Sequence, residues 1–191
     1  MRKEYQIYKT LNTMLKDRKY DVKNQNKITL KEFEERFIKN DKVEIPNEYF
    51  KGDGQTVKVI FALDEKFGSQ SLKSLINDFE YDKTKHAILI ASDFTPDAIK
   101  GINNIKDDLR IENFKNKELY TPVIRKKYQP KSFKIMNDED IEDLNIQYGN
   151  IDKFPRIKTS DAVSKYFNLQ IGEVIRFDRG NRDYYYRRVI K

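Results

Sequence analysis

The run His86-Ala87-Ile88-Leu89-Ile90-Ala91 is unbroken apolar sequence after its first residue, in a chain where 36% of the residues are Asp, Glu, Lys or Arg. A strand with one wet face alternates polar and apolar, so a continuous run of this length fits a strand covered on both sides. Its neighbours supply the layers. Upstream, the residues 56–63 are β-branched and mostly apolar, follow Gly52-Asp53-Gly54, and read as a second strand. Between the two, Leu72, Leu75, Ile76 and Phe79 recur at helical spacing. Downstream, Thr95-Pro96 fits an N-cap followed by proline at the first helical position, and residues 109–114 alternate as a third strand. Strand, helix, strand, helix, strand predicts an α/β unit whose strands run parallel and are joined by right-handed crossovers.

Two helices precede this unit. Tyr5, Tyr8, Leu11 and Leu15 lie on one helical face, and Thr29-Leu30-Lys31-Glu32 is a capping box ahead of Phe33 and Phe37. Past residue 116 the pattern changes: residues 118–134 read as an extended connection, and 137–144 as a short acidic helix. Ser160 or Asp161 can cap a helix that buries Val163, Tyr166 and Phe167. Residues 173–177 and 184–190 then read as strands joined through Gly180-Asn181, which tolerate positive φ in a hairpin. The expected fold class is α+β. An N-terminal α/β domain (1–116) has two opening helices plus a small, largely parallel sheet, and a C-terminal α+β domain (117–191) has short strands and a hairpin.

Charge is distributed unevenly between these parts. Residues 153–191 carry ten Lys/Arg against four Asp/Glu, so +6 of the formal +7 sits there. Such a module favours an acidic partner, either a phosphate backbone or a carboxylate-rich protein surface. The chain has no Cys and one His, His86, which excludes disulfides, thiolate metal sites and a His cluster. No run approaches the ~18 apolar residues of a membrane span, and no apolar leader opens the chain, so a location inside a cell or a virion is expected.

The C-terminal residues carry a family resemblance. Phe154-Pro155-Arg156-Ile157, Asp161-Ala162-Val163-Ser164-Lys165-Tyr166, Gly172-Glu173-Val174-Ile175-Arg176-Phe177 and Tyr186-Arg187 follow one another in order. They resemble Leu-Pro-Arg-Ile, Asp-Pro-Val-Ala-Arg-Tyr, Gly-Gln-Val-Val-Lys-Ile and a terminal Tyr-Arg in the fifth-by-size subunit shared by the eukaryotic nuclear RNA polymerases, a family whose archaeal members lack the N-terminal jaw domain. Asp17-Arg18-Lys19-Tyr20 resembles that family's Asp-Arg-Gly-Tyr, and Thr95-Pro96-Asp97-Ala98 its Thr-Pro-Ser-Ala turn. Departures stand beside the matches. Ala162 replaces the family's proline, the connection to the last strand shrinks to residues 178–182, and Pro122, Ile124 and Lys126 occupy positions that are polar in the family. These departures and the Lys-, Ile- and Asn-rich composition fit a divergent copy from a large DNA virus or from an AT-rich eukaryote.

The resemblance implies a non-catalytic subunit of a multisubunit DNA-directed RNA polymerase. It would dock on the largest subunit, beside neighbouring subunits, through its C-terminal domain, and line the downstream DNA channel with an N-terminal jaw. Assembly residues would be Pro155, Arg156, Asp161, Tyr166, Gly172, Arg176, Tyr186 and Arg187, with Gly172 serving backbone geometry. Thr95, Pro96 and Lys100 would lie near DNA; read from the residues alone, Lys100, Lys106 and Arg110 form either phosphate contacts or a solvated charged face. No catalytic residue, metal or cofactor is expected. The location would be the nucleus, or the viral factory cytoplasm and virion for a viral copy. Two other readings stay open. Tyr interleaved with Arg in the tail fits a free-standing nucleic-acid-binding protein. Asp64-Glu65-Lys66 at a strand end, with Asp53 upstream, matches the carboxylate and lysine set of metal-dependent nucleases.

Overall fold

The computed structural model describes residues 3–23, 28–39, 42–43, 45, 47–105, 109–120, 124, 129–130, 132–181 and 183–191, with the side chains of 39, 42, 43 and 63–65 outside the description. The chain divides into two compact units, Met1–Thr121 and Pro122–Lys191. Lys106, Pro122 and Lys126 lie outside the described residues.

The first unit opens with α1 (Lys3–Asp17) and α2 (Leu30–Phe37). Thr29 caps α2 with both hydrogen bonds of the capping box. The two helices meet through rings: Phe33 lies 5.4 Å from Tyr5 and 5.2 Å from Tyr8, and the Tyr5 hydroxyl donates to the Ile28 carbonyl at 2.8 Å. Two-residue strands β1 (Ile38–Lys39) and β2 (Lys42–Val43) form a separate antiparallel pair.

The main sheet holds β3 (Glu48–Phe50), β4 (Thr56–Phe67), β5 (His86–Phe94) and β6 (Arg110–Lys115), in that order. β4, β5 and β6 are parallel, as expected, while β3 adds an antiparallel edge that the sequence pattern did not announce. Helices α3 (Ser69–Tyr81) and α4 (Pro96–Asn103) make the crossovers. Leu72 and Phe79 of α3, Ala98 and Ile102 of α4, and Ala87, Leu89 and Ala91 of β5 form one core. Gly101 is where α4 approaches α3, since a Cβ there would stand 2.7 Å from Leu72 Cδ2. Ile88 and Ile90 point to the opposite face and are fully buried too, so β5 is covered on both sides. A short helix, α5 (Asn116–Tyr120), belongs to this unit and packs against α1 and β5.

The second unit is a sheet in the order β7 (Ser132–Ile135), β9 (Val174–Asp178), β10 (Tyr184–Ile190), β8 (Arg156–Lys158). β8 runs parallel to β10 and the other pairs are antiparallel. Residues 132–134, expected as part of an extended connection, are extended but belong with Ile135 to a strand hydrogen-bonded to β9. Helix α6 (Asp138–Tyr148) packs Leu144 against Val174 and Met136 on one sheet face. Helix α7 (Ala162–Phe167) covers the other face, where Phe167 meets Phe133 at 5.4 Å. Of the two candidate caps, Asp161 is the one used: its Oδ1 accepts the Val163 N–H at 2.9 Å. Gly180 (φ 92°) and Asn181 (φ 56°) take the positive φ expected of the hairpin. No helix among the described residues is long and apolar enough to cross a membrane.

Candidate functional site

The residues expected to serve assembly separate into a frame and a surface. Asp161 caps α7, and Tyr166 is 4% exposed with its ring edge-on to Phe167 at 5.1 Å, so Tyr166 supports the unit from inside. Gly172 has φ 96° and donates its N–H to the Val189 carbonyl at 3.0 Å, tying the turn before β9 to the last strand. The Pro155 carbonyl accepts the Arg188 N–H at 2.9 Å, which starts the β8–β10 pairing.

Arg156, Arg176, Tyr186 and Arg187 reach the surface, but not at one patch. Side chains alternate across a sheet, and the register pairs Tyr186 with Arg176 and Arg188 with Arg156, which puts these residues on the α6 face. The Tyr186 ring sits 6.0 Å from Phe154 and 6.1 Å from Tyr148, and the Arg176 guanidinium lies 4.5 Å from the Tyr184 ring. Arg188, absent from the expected set, binds Asp152 at 2.9 Å. Arg187 is on the α7 face, 5.7 Å from the Phe177 ring and 5.9 Å from the Tyr185 ring. Tyr185 stacks flat on Phe177 at 4.6 Å and carries Arg179 at 4.4 Å. The hairpin is thus a set of arginines held on aromatic rings, a packing of cation against ring quadrupole worth about 0.5–1 kcal/mol per exposed pair.

In the first unit Thr95 caps α4, accepting the Ala98 N–H at 3.2 Å, with Pro96 and Lys100 exposed beyond it. The grouping of these residues with Arg110 does not hold. Thr95 follows the carboxyl end of β5, whereas Arg110 pairs with His86 at its amino end, about 25 Å away at ~3.3 Å per strand residue. The nuclease constellation fails for the same reason. Asp53 lies in the turn before β4, bound to the Gln55 N–H and 3.7 Å from Lys51, while position 64 is near the far end of that 12-residue strand. Lys66 is paired in register with Asp93, whose carboxyl is held below its usual range mainly by the Lys115 ammonium. No group of three potential metal ligands occurs among the described residues.

A buried polar cluster went unseen in the sequence. Arg18, just past α1, makes two hydrogen bonds of 2.8 and 2.9 Å to Glu112 of β6. His86 Nε2 lies 2.8 Å from the same carboxylate, and Tyr20 Oη 3.4 Å from His86 Nδ1. A carboxylate only accepts, so Nε2 carries a proton. Burial pushes the Glu112 carboxyl up, but the Arg18 charge and the hydrogen bonds from His86 and Arg18 outweigh it and hold the pKa low. The four residues lock the end of α1 onto the sheet. They leave no free base or nucleophile, and their role is structural.

The chain is thus an α/β unit followed by a basic unit whose motif positions build frame and surface. Family comparison makes this specific. The family described as RNA polymerase Rpb5, N-terminal domain, matches residues 1–79, and RNA polymerase Rpb5, C-terminal domain, matches residues 122–189. The chain belongs to the Rpb5 family of RNA polymerase subunits. It is 26% identical over 180 residues to the Dictyostelium discoideum DNA-directed RNA polymerases I, II, and III subunit rpabc1, covering 91% of this chain and 88% of that one. It is 27% identical over 123 residues to the corresponding Caenorhabditis elegans subunit, covering 63% and 58%. DNA-directed RNA polymerase subunit 5 of Acanthamoeba polyphaga mimivirus is 29% identical over 131 residues, covering 67% and 60%. The matched region thus spans little more than half of the nematode relative.

Proposed function

We propose that this chain docks on the largest subunit of a multisubunit DNA-directed RNA polymerase through its C-terminal unit and lines the downstream DNA channel with its N-terminal unit. The observation that carries this reading is the ordered match of both units to the Rpb5 domains, with Arg156, Arg176, Tyr186 and Arg187 at the surface of the second. Thr95, Pro96 and Lys100 at the α4 start are the DNA-facing side of the first. The subunit works in the nucleus of a eukaryotic source, or in the viral factory cytoplasm and virion of a viral one; the mimivirus relative supports the second location. A free-standing nucleic-acid-binding role is disfavoured because the hairpin rings are occupied by guanidiniums. Affinity purification of a tagged copy from its native source tests the reading. The largest polymerase subunit is expected among the co-purifying chains, and Arg187→Glu is expected to lower its recovery. A preparation without any large polymerase subunit would overturn the proposal.

A further inference from the structure

We infer that Arg179, Tyr185 and Arg187 form a seat for the carboxylates of an acidic segment on a partner polypeptide, an inference that rests on reading the C-terminal unit as the docking unit. The seat is built on a rigid base. Tyr185 and Phe177 are directly opposite in the β9–β10 register and stack at 4.6 Å with 9° between their planes. Arg179 lies 4.4 Å from the Tyr185 centroid, and Arg187 reaches both rings at 5.9 and 5.7 Å. Among the described residues neither guanidinium has a carboxylate at ion-pair distance. The nearest acid in the hairpin, Asp178, is engaged by its own turn: one oxygen accepts the Gly180 N–H at 2.7 Å and the other the Ser132 hydroxyl at 3.2 Å. Arg179 is exposed and Arg187 half-buried, so both side chains reach solvent.

The ring contacts restrain each guanidinium, and among the described residues no carboxylate occupies it, so an incoming carboxylate can bind bidentately with little side-chain entropy lost. The same contacts argue for a protein partner over single-stranded nucleic acid. Base recognition by aromatics requires an open ring face, and Tyr185, the ring of the seat, has Phe177 and Arg179 against it. What remains available is a pair of fixed cations.

The test is fluorescence anisotropy of the full chain with labelled octaglutamate and, separately, labelled octathymidylate. Arg179→Gln/Arg187→Gln is compared with Lys158→Gln/Lys191→Gln, which removes equal charge from the same unit. The wild type and the lysine variant should bind octaglutamate alike, and the arginine variant about tenfold or more weakly, a change of about 1.4 kcal/mol. Equal affinity in all three, an equal loss in the lysine variant, or preference for octathymidylate would overturn the seat. Co-purification of the wild type with the largest subunit is scored independently. If octaglutamate binding depends on the arginines but no polymerase subunit co-purifies, the seat stands and the docking reading falls; if the wild type co-purifies and octaglutamate binding ignores the arginines, the reverse holds.

Discussion

At the scale of single residues, the departures from the resembled motif can be weighed one by one. Ser164 occupies the position where Asp-Pro-Val-Ala-Arg-Tyr has alanine; it is 1% exposed and its hydroxyl has no hydrogen-bond partner among the described residues. A buried, unpaired hydroxyl costs desolvation that nothing returns, and alanine is the better helix former. Ser164→Ala should therefore stabilise the chain by about 1 kcal/mol, read as a higher urea midpoint at unchanged slope; a lower midpoint would reveal a bond that the hydroxyl makes. Helical spacing was enough to place Val163 and Tyr166 inside. What spacing could not convey is partnership across the chain. Arg18 and Glu112 are 94 positions apart, and in sequence Glu112 is only the polar member of an alternating strand.

At the scale of elements, the legible features were those written in a few consecutive residues. The Thr29 capping box, the Thr95-Pro96 helix start and the continuous β5 run are local physics, and the structure uses each of them. The missed strands β1, β2, β3, β7 and β8 have two to four residues each, too short for a period, and β7 and β8 exist through partners tens of residues away. The end of α1 lies between these cases. Tyr20 N–H donates to the Leu15 carbonyl at 2.9 Å and Lys19 N–H to that of Lys16 at 2.9 Å, the paired bonds of a Schellman terminus. That terminus sets Lys19 at φ 69°, where the resembled Asp-Arg-Gly-Tyr has glycine. A left-handed conformation costs a non-glycine residue about 1–2 kcal/mol, offset in part by glycine's greater freedom when unfolded. Lys19→Gly should raise stability by about 0.5–1 kcal/mol, visible in urea unfolding and in slower amide exchange at Tyr20. No change in either would show that Lys19 is held there without strain.

At the scale of the whole molecule, the Glu112 cluster makes stability depend on pH. Its carboxyl is held below the ordinary value of 4.5, so the folded state binds this proton less readily than the unfolded state. The stabilisation is then fully present above pH 4.5 and is lost as pH falls through the lowered folded value. The pair is buried, with side-chain exposures of 5% for Arg18 and 10% for Glu112, so removing one partner strands the other. Glu112→Gln should cost about 3 kcal/mol at pH 7. Protonation of the wild-type carboxyl removes the same charge in acid, so the gap between wild type and variant should narrow steadily as pH falls below 4.5. Glu32, Asp93 and Asp140 also have lowered pKa values and titrate in both proteins, so each curve falls with acid while their difference isolates Glu112. Urea midpoints at several pH values below 4.5 and at neutrality give the difference directly. A gap that stays constant throughout would mean that Arg18 and His86 do not hold Glu112 ionised, and that the end of α1 is kept on the sheet by apolar packing alone.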